Sequence, residues 1–284
     1  MKSRGKPVFK QVSIVGLGLI GGSLGLALKR GRVARRVIGF SRHEATIRRA
    51  KAVGAVDDGC TELCPEWLGE SDLVIIATPP LSVVPLARRI AKMTRHSFVL
   101  TDVASTKRRI VRDLERDLPS RIRFAGSHPM AGSEQSGIDA AKPALFKGAV
   151  CVLTRTPRTS PSALEALRSL WRAVGSKIVV LTPEKHDKLV AQISHVPHIA
   201  AAVLVELVSA EALRLAGTGF RDATRIAKSD PAMWEQIIRT NREPVSCSLG
   251  ELVKRLSQIR RSLGNPDGLR RRFRKAQIRR RSLG

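Results

Sequence analysis

The chain has 284 residues, which is long enough for a sizeable core and indicates two domains. Its 43% hydrophobic content is that of a globular protein and excludes intrinsic disorder. The formal net charge of +27 would suit nucleic-acid or membrane-surface binding, but the basic residues form small scattered groups and aromatic residues make up only 4%. We therefore interpret the charge as solvated basic faces and expect neither nucleic acid nor membrane as a partner.

The sequence predicts no targeting segment and no membrane span. The apolar run from Val12 to Leu28 is broken by five glycines and is polar at both ends. No hydrophobic region precedes Val12, as a secretion signal would require. The four cysteines lack the spacing of metal ligands. We therefore expect a cytoplasmic protein with reduced thiols and no metal.

Strands and helices are predicted to alternate over the first two thirds of the chain. Short apolar or β-branched runs predict strands at 12–15, 37–40, 73–77, 97–102, 123–126, 149–153 and 177–181. Helices are predicted between them, for example at 84–93, 107–118 and 162–174. This alternation predicts a doubly wound α/β sheet.

The strand pattern stops after Pro183, and helices follow. Residues 184–215 are predicted as one long helix, with further helices at 231–239 and 249–263. Residues 269–281 could be a disordered basic tail, but we favour a final amphipathic helix docked on the second domain. The predicted domains are therefore an α/β domain over residues 1–182 and an all-helical domain over 183–284.

A glycine-rich turn lies between the first strand and the first helix. Its G-x-G-x-x-G pattern consists of Gly16, Gly18 and Gly21. In such turns the first glycine permits the tight turn, the second lets a pyrophosphate approach, and the third allows close helix packing. We therefore predict a Rossmann domain that binds NAD or NADP at the helix N-terminus. The predicted cofactor site also contains Leu19, Ile20 and Thr78.

The adenosine ribose of the cofactor is expected about 20 residues further on, at the end of the second strand. NAD sites favour Asp or Glu there, but this chain has Ser41, Arg42 and His43, with no carboxylate before Glu44. Ser41 with Arg42 could accept a 2′-phosphate, which favours NADP. Arg42 could equally stack on adenine or lie in solvent.

One histidine, His128, lies in a predicted loop of small residues, with the sequence G-S-H-P-M-A-G-S-E over 126–134. Histidine exchanges a proton near neutral pH, so this loop suits an acid/base group that faces a substrate. Taken alone, a histidine is more often a surface residue or a satisfied core residue. We interpret His96 and His186 in that way.

Five motifs together resemble one enzyme family. They are the glycine turn at 16–23, D-V-A-S-T-K at 102–107, H-P-M-A-G at 128–132, S-H-V-P-H at 194–198 and T-R-I-A-K-S-D-P at 224–231. In this order, over nearly the whole chain, they resemble the prephenate/arogenate dehydrogenases, or cyclohexadienyl dehydrogenases, of tyrosine biosynthesis. The resemblance implies oxidative decarboxylation of prephenate or arogenate with hydride transfer to NAD(P)+. It also implies a homodimer formed through the helical domain.

The resemblance further implies roles for single residues. His128 would accept or polarise the proton of the substrate hydroxyl, and Ser105 would orient the histidine or that hydroxyl. Arg225 would grip a substrate carboxylate, and His198 matches a second histidine on the substrate side. The remaining predicted site residues are Ser133 on the substrate side, Trp234 as a wall, His195 as a shape-holding residue, and Asp187, Asp222 and Glu134 as tethers of Arg225 or gates.

Two alternatives remain open at this point. A Rossmann-type 3-hydroxyacid dehydrogenase has a similar architecture but places a catalytic lysine on a helix of its second domain. A basic nucleic-acid-binding scaffold with a nucleotide fold would bind DNA in a salt-dependent way and would leave the His128 loop unexplained. The sequence does not distinguish prephenate from arogenate.

Overall fold

A computed structural model describes residues 8–133 and 135–282. Its main sheet contains β1 (Phe9–Val15), β2 (Ala34–Phe40), β3 (Asp58–Cys60), β4 (Leu73–Ile76), β5 (Phe98–Asp102) and β6 (Ile122–Phe124). All neighbours are parallel, in the order β3-β2-β1-β4-β5-β6. This is the strand order of a dinucleotide-binding sheet and confirms the predicted doubly wound fold.

Helices cover both faces of this sheet. They are α1 (Leu19–Arg30), α2 (Glu44–Ala52), α3 (Pro65–Gly69), α4 (Pro80–Met93) and α5 (Arg108–Asp117). Strand β4 shows how the two cores are separated, since Leu73 and Ile75 pack into one core while Val74 and Ile76 pack into the other. Alternate residues of a strand point to opposite faces, so a strand buried on both sides is apolar throughout.

A second, smaller sheet carries the histidine motif. It consists of β7 (Ser127–Pro129), β8 (Val150–Thr154) and β9 (Lys177–Leu181), with α6 (Pro161–Ala173) between the last two. β7 is antiparallel to β8, and His128 lies opposite Val152. The prediction of a loop around His128 is therefore wrong, because a three-residue strand is too short to show a period of two in its sequence.

Helices form the rest of the chain. They are α7 (Pro183–Val190), α8 (Val196–Glu206), α9 (Ala210–Arg214), α10 (Thr218–Thr224), α11 (Pro231–Thr240), α12 (Arg242–Arg261) and α13 (Pro266–Arg281). The change from sheet to helix falls between Leu181 and Pro183. The division into domains 1–182 and 183–284 stays a proposal.

The predicted single helix over 184–215 is wrong in two places. A π-helical turn, Ala191–His195, separates α7 from α8, and the helix ends at Glu206. Pro197 lacks the N–H that would bond to the carbonyl of Ile193, which explains the irregular turn before it. Beyond Glu206 the side chain of Ser209 accepts a bond from the Ala212 N–H and begins a new helix.

The last helix, α13, is present where the sequence predicts one, but none of its residues is buried. Within the described chain α13 is bonded to α12 by the Arg272 guanidinium, which donates to the Gln258 side chain at 3.4 Å, but it buries no apolar face there. Separately, the segment Pro183–Glu206 is long and apolar enough to cross a membrane by length and composition alone. Because this segment buries His186, Asp187 and His195, we interpret it as part of the folded helical region.

Candidate active site

The carboxyl ends of β1, β4 and β5 lie together at one edge of the main sheet. Val15 pairs with Ile76, and Ile76 pairs with Asp102. Three of the predicted site residues come within three positions of these strand ends. Gly16 follows β1 and Thr78 follows β4, both predicted for the cofactor, and Ser105 follows β5. Doubly wound sheets bind ligands at this edge, so the fold brings these predicted residues to a suitable place.

The glycine turn has the geometry that a dinucleotide requires. Gly16 has a φ of +103°, and a Cβ there would lie 2.6 Å from the Ala77 carbonyl oxygen. A Cβ on Gly21 would lie 1.9 Å from the Gly16 carbonyl oxygen, whereas nothing lies within 4 Å of a Cβ on Gly18. The first turn of α1 contains no acidic residue. The turn therefore combines tight packing with open space at the N–H end of a helix, which fits a pyrophosphate.

We expect a methyl group at Gly18 to weaken cofactor binding without disturbing the fold. Gly18 has a φ of −79°, which alanine adopts without strain, but the methyl of Gly18→Ala would occupy the open space above the turn. The dissociation constant for NAD(P)+ should rise about tenfold, equivalent to ~1.4 kcal/mol. Calorimetric titration measures the affinity and thermal unfolding measures the stability.

Gly21→Ala serves as the contrasting variant. Its methyl group meets the Gly16 carbonyl, so the backbone must move and the protein should lose about 1–3 kcal/mol of stability. An unchanged cofactor affinity in Gly18→Ala would contradict the placement of the pyrophosphate.

The end of β2 carries the predicted ribose-contacting residues. Ser41 is half-buried, Arg42 is exposed, and the Ser41 hydroxyl accepts a bond from the His43 N–H at 3.4 Å. Leu19 and Ile20 begin α1 and are half-buried. The structure therefore leaves a hydroxyl and a guanidinium, with no carboxylate at 41–43, where the cofactor ribose is expected.

Three buried side chains form a hydrogen-bonded series beside this edge. Nδ1 of His128 lies 2.8 Å from Nε2 of His186, and Nδ1 of His186 lies 2.8 Å from Oδ1 of Asp187. The Asp187 carboxylate also accepts the backbone N–H groups of Lys107 and Arg108, at 2.8 and 2.9 Å. Asp187 therefore holds the N-terminus of α5 and one end of the histidine series. That Asp187 tethers Arg225 or gates the pocket stays a prediction.

The strand that carries His128 is fixed by its neighbour Ser127. The Ser127 hydroxyl lies 2.9 Å from the Thr101 hydroxyl of β5 and accepts the indole N–H of Trp171 at 3.0 Å. Ser127 and Trp171 are fully buried and His128 is only 8% exposed. These bonds attach β7 to the carboxyl end of β5, so His128 lies beside the predicted cofactor edge.

The surroundings of His128 favour its neutral form. Burial lowers the pKa of His128 well below its usual value, and the nearby His186, Lys107 and His195 lower it further. Lys107 is fully buried in an ion pair with Asp102, whose own pKa is raised by burial although Lys107 opposes this shift. A neutral imidazole at physiological pH can accept a proton, as a general base must.

Aromatic and polar groups of the helices that follow α7 are connected to Asp187 through Asn241. The His198 ring stacks on Trp234 with a centroid distance of 3.5 Å, and His195 meets Trp234 edge-on. The Asn241 amide donates to the Asp187 carbonyl at 2.9 Å and to His195 Nδ1 at 3.1 Å. Burial lowers the pKa of His195 to about 4. His195 and His198 are therefore held in place, as neutral or weakly basic rings.

The other predicted substrate residues lie in more open positions. Arg225 begins a 3₁₀ helix, Arg225–Lys228, that packs against α8, and its side chain is exposed. Asp222 on α10 and Ser133 are exposed as well, and Ser105 is half-buried. The prediction for Glu134 lies outside the described residues. The roles of these residues stay predictions.

Sequence reasoning missed Asn241 and the bonds that His186 makes. His186 is fully buried, as the interpretation of a satisfied core residue allows, and its ring bonds to His128 and Asp187. The one available signal was its place directly before Asp187, since a histidine beside a carboxylate is a common acid/base arrangement. Asn241 lies between α11 and α12, and no local pattern in the sequence distinguishes it.

The chain matches the models of one protein family along most of its length. Residues 24–180 match "prephenate dehydrogenase, nucleotide-binding domain", and residues 182–275 match "prephenate dehydrogenase, dimerization domain". The chain is 38% identical to a prephenate dehydrogenase of Bacillus subtilis (strain 168), over 88% of this chain and 69% of that protein.

Two solved structures have the same fold over almost all of the chain. The first is the prephenate dehydrogenase from A. aeolicus in complex with hydroxyphenyl propionate and NAD+, with 29% identity and a TM-score of 0.89 over 97% of this chain and 98% of that one. The second is the Synechocystis arogenate dehydrogenase, with 31% identity and a TM-score of 0.81 over 96% of this chain and 100% of that one.

Proposed function

The chain belongs to the prephenate dehydrogenase family, and on that basis we propose that it oxidises and decarboxylates prephenate or arogenate with NAD(P)+. The products are 4-hydroxyphenylpyruvate and tyrosine, respectively. The observation that carries the proposal is the buried position of His128, which is attached through Ser127 to the sheet edge where the glycine turn lies. Family membership sets aside the two alternatives that the sequence left open.

His128 is the general base of the proposed reaction. Bound in the glycine turn, NAD(P)+ supplies the acceptor for the hydride that leaves the hydroxyl-bearing ring carbon. His128 takes the hydroxyl proton as the carbonyl forms. When CO2 leaves, its bonding electrons pass through the ring to that oxygen, and His128 returns the proton to give the phenol. His128 therefore takes up and returns one proton in each turnover, and the formation of the aromatic ring drives the loss of CO2.

The remaining residues hold the substrate in this proposal. Arg225 pairs with a substrate carboxylate. The stacked rings of His198 and Trp234 form one side of the substrate site, and the ring nitrogens of His198 supply its polar atoms. Nε2 of His195 and Nδ1 of His198 are buried and have no hydrogen-bond partner among the residues that the structure describes. Buried polar atoms are normally paired, which supports a ligand at this wall. Ser133 supplies a further hydroxyl, Ser105 orients His128 or the substrate hydroxyl, and Asp222 and Glu134 tether Arg225 or gate the pocket.

We propose a preference for NADP+, on the basis of Ser41 and Arg42. Arg42→Ala should weaken NADP+ binding about tenfold or more, since a charged hydrogen bond contributes ~1.5–3 kcal/mol, and should leave NAD+ binding unchanged. Titration of each variant with both cofactors measures this. Arg48→Ala is the matched control, because Arg48 is exposed on α2 and paired with Glu44. Equal effects on both cofactors would contradict the preference.

We further propose that the enzyme is a cytoplasmic homodimer assembled through the helical region. Apolar side chains are exposed there without cover from the described chain: Ile193, Leu207, Leu215, Val253, Leu256, Leu263 and Phe273. Large apolar side chains exposed in one region of a chain favour an interface there. The match of residues 182–275 to a dimerization domain supports the same conclusion.

One experiment tests the function directly. Purified protein is assayed with prephenate and with arogenate, each with NAD+ and with NADP+, by the absorbance of the reduced nicotinamide. We expect turnover in at least one of the four combinations, and the ratio of kcat/KM values assigns substrate and cofactor. An absence of turnover in all four would overturn the proposed activity.

A further inference from the structure

The hydrogen bonds around Asp187 determine where the protons of two histidines lie. Asp187 accepts two backbone N–H groups, so its carboxylate serves as an acceptor. Nδ1 of His186, at 2.8 Å from Oδ1, must therefore carry a proton and donate it. A neutral imidazole has only one N–H, which leaves Nε2 of His186 with a lone pair.

The same logic extends to His128. Because Nε2 of His186 has a lone pair, Nδ1 of His128 must donate to it across their 2.8 Å separation. Nε2 of His128 is then the unprotonated nitrogen. The series from Asp187 to His186 to His128 thus fixes the tautomer in which His128 presents a basic Nε2.

Resting on the proposed function, we propose that His186 is a positioning residue that holds His128 as an Nε2 base and takes up its Nδ1 proton during the reaction. As the substrate O–H bond breaks, the proton forms a bond to Nε2 of His128. The Nδ1 proton of His128 moves to Nε2 of His186, and no proton moves to Asp187. Both transfers reverse when the phenol forms, so no proton is gained or lost in the cycle.

The charges around the pair favour this location of the transient positive charge. Burial lowers the pKa of His186, and the Asp187 carboxylate that its ring contacts, together with Asp102, opposes this shift. Lys107 lowers the pKa of both rings, and His195 lowers that of His128. Burial lowers the pKa of both histidines, but only His186 has a carboxylate partner. A cation on His186 is therefore better stabilised than one on His128.

Two substitutions separate positioning from proton uptake. The amide oxygen of His186→Gln can replace Nε2 and accept the bond from His128, but it does not take up a proton. His186→Leu removes both properties. We expect kcat to fall about tenfold in His186→Gln and about 10²- to 10³-fold in His186→Leu, with KM and cofactor affinity within about twofold of wild type. His96→Gln, in an exposed residue, is the control for the substitution itself.

The pH profile gives a readout that a purely structural role would not change. In His186→Gln the positive charge must stay on buried His128, so the acid limb of kcat should move to lower pH than in wild type. A His186→Gln variant with wild-type kcat and an unshifted acid limb would show that His186 does not take up the proton. A folded His186→Leu variant with wild-type kcat would show that it does not position His128.

Nitrogen-15 NMR of histidine-labelled protein tests the tautomers without any turnover. At neutral pH, Nε2 of His128 should give the signal of an unprotonated nitrogen and Nδ1 of His186 that of a protonated one. The His186→Gln spectrum assigns the signals by loss. The opposite tautomers would overturn the proposal even in an active enzyme, whereas failure of the proposed function would show as missing turnover with these tautomers intact.

Discussion

Replacement of His128 by asparagine should lower kcat by about 10³-fold while cofactor affinity stays unchanged. The asparagine amide can occupy the place of Nδ1 and still donate to His186, so the local hydrogen bond and the strand pairing are kept. Only the Nε2 lone pair is lost. General-base catalysis contributes roughly 10²- to 10⁴-fold, and His128 is the one group proposed to accept the hydroxyl proton.

The pH dependence of the wild-type enzyme follows from the same residue. His128 acts in its neutral form, and burial together with His186, Lys107 and His195 lowers its pKa well below the usual value of about 6.5. As the pH rises, His128 therefore loses its proton while the solution is still acidic. The value of kcat/KM should stay level through neutral pH and fall only in more acidic solution. The residual activity of His128→Asn should lack this acid limb.

Steady-state rates between pH 4.5 and about 9 measure both effects, with thermal unfolding as a check on folding. His96→Asn is the control and should match wild type at every pH, because this histidine is exposed and distant from the proposed chemistry. A His128→Asn enzyme that keeps its full rate would contradict the proposed mechanism while leaving the family assignment untouched.

The sheet could be predicted from sequence because its signals are local. Strands such as Leu73–Ile76 are continuous apolar runs, and the glycines at 16, 18 and 21 are required by contacts within one turn. Each of these features can be recognised within a few adjacent residues. The histidine series is different, because His128 and His186 are 58 positions apart and meet only after two sheets and a helix have packed.

The helices after Pro183 also differ from what local sequence patterns predict. Helical periodicity indicated one helix over 184–215, but the irregular turn before Pro197 and the cap at Ser209 divide it. The division matters for the site, since His195 lies in the π-helical turn and His198 in the helix that follows. Irregular helical turns of this kind are frequent at functional sites, because they redirect side chains. The sequence pattern predicts the helix but not the irregular turn within it.

Loss of Arg225 should have the second large effect, on substrate binding. Both proposed substrates carry two carboxylates, and a guanidinium can hold a carboxylate through two parallel bonds. Removing one partner of such a charge pair costs about 2–5 kcal/mol, so KM in Arg225→Ala should rise about 30-fold or more. Arg225→Lys keeps the charge without the two-pronged geometry and should recover only part of the loss. Cofactor affinity should not change, because Arg225 lies on the 3₁₀ helix that packs against α8, outside the glycine turn.

The control for Arg225 must separate a specific contact from the attraction of a protein with a formal charge of +27 for any anion. Arg221→Ala removes the same charge from an exposed residue of α10, one helical turn earlier. If long-range attraction dominates, both variants raise KM equally and added salt abolishes the difference from wild type. If Arg225 binds the carboxylate directly, only the Arg225 variants raise KM and the increase persists in high salt. Arg225→Lys then shows a smaller increase in KM than Arg225→Ala. Equal, salt-sensitive defects would therefore remove Arg225 from the substrate site.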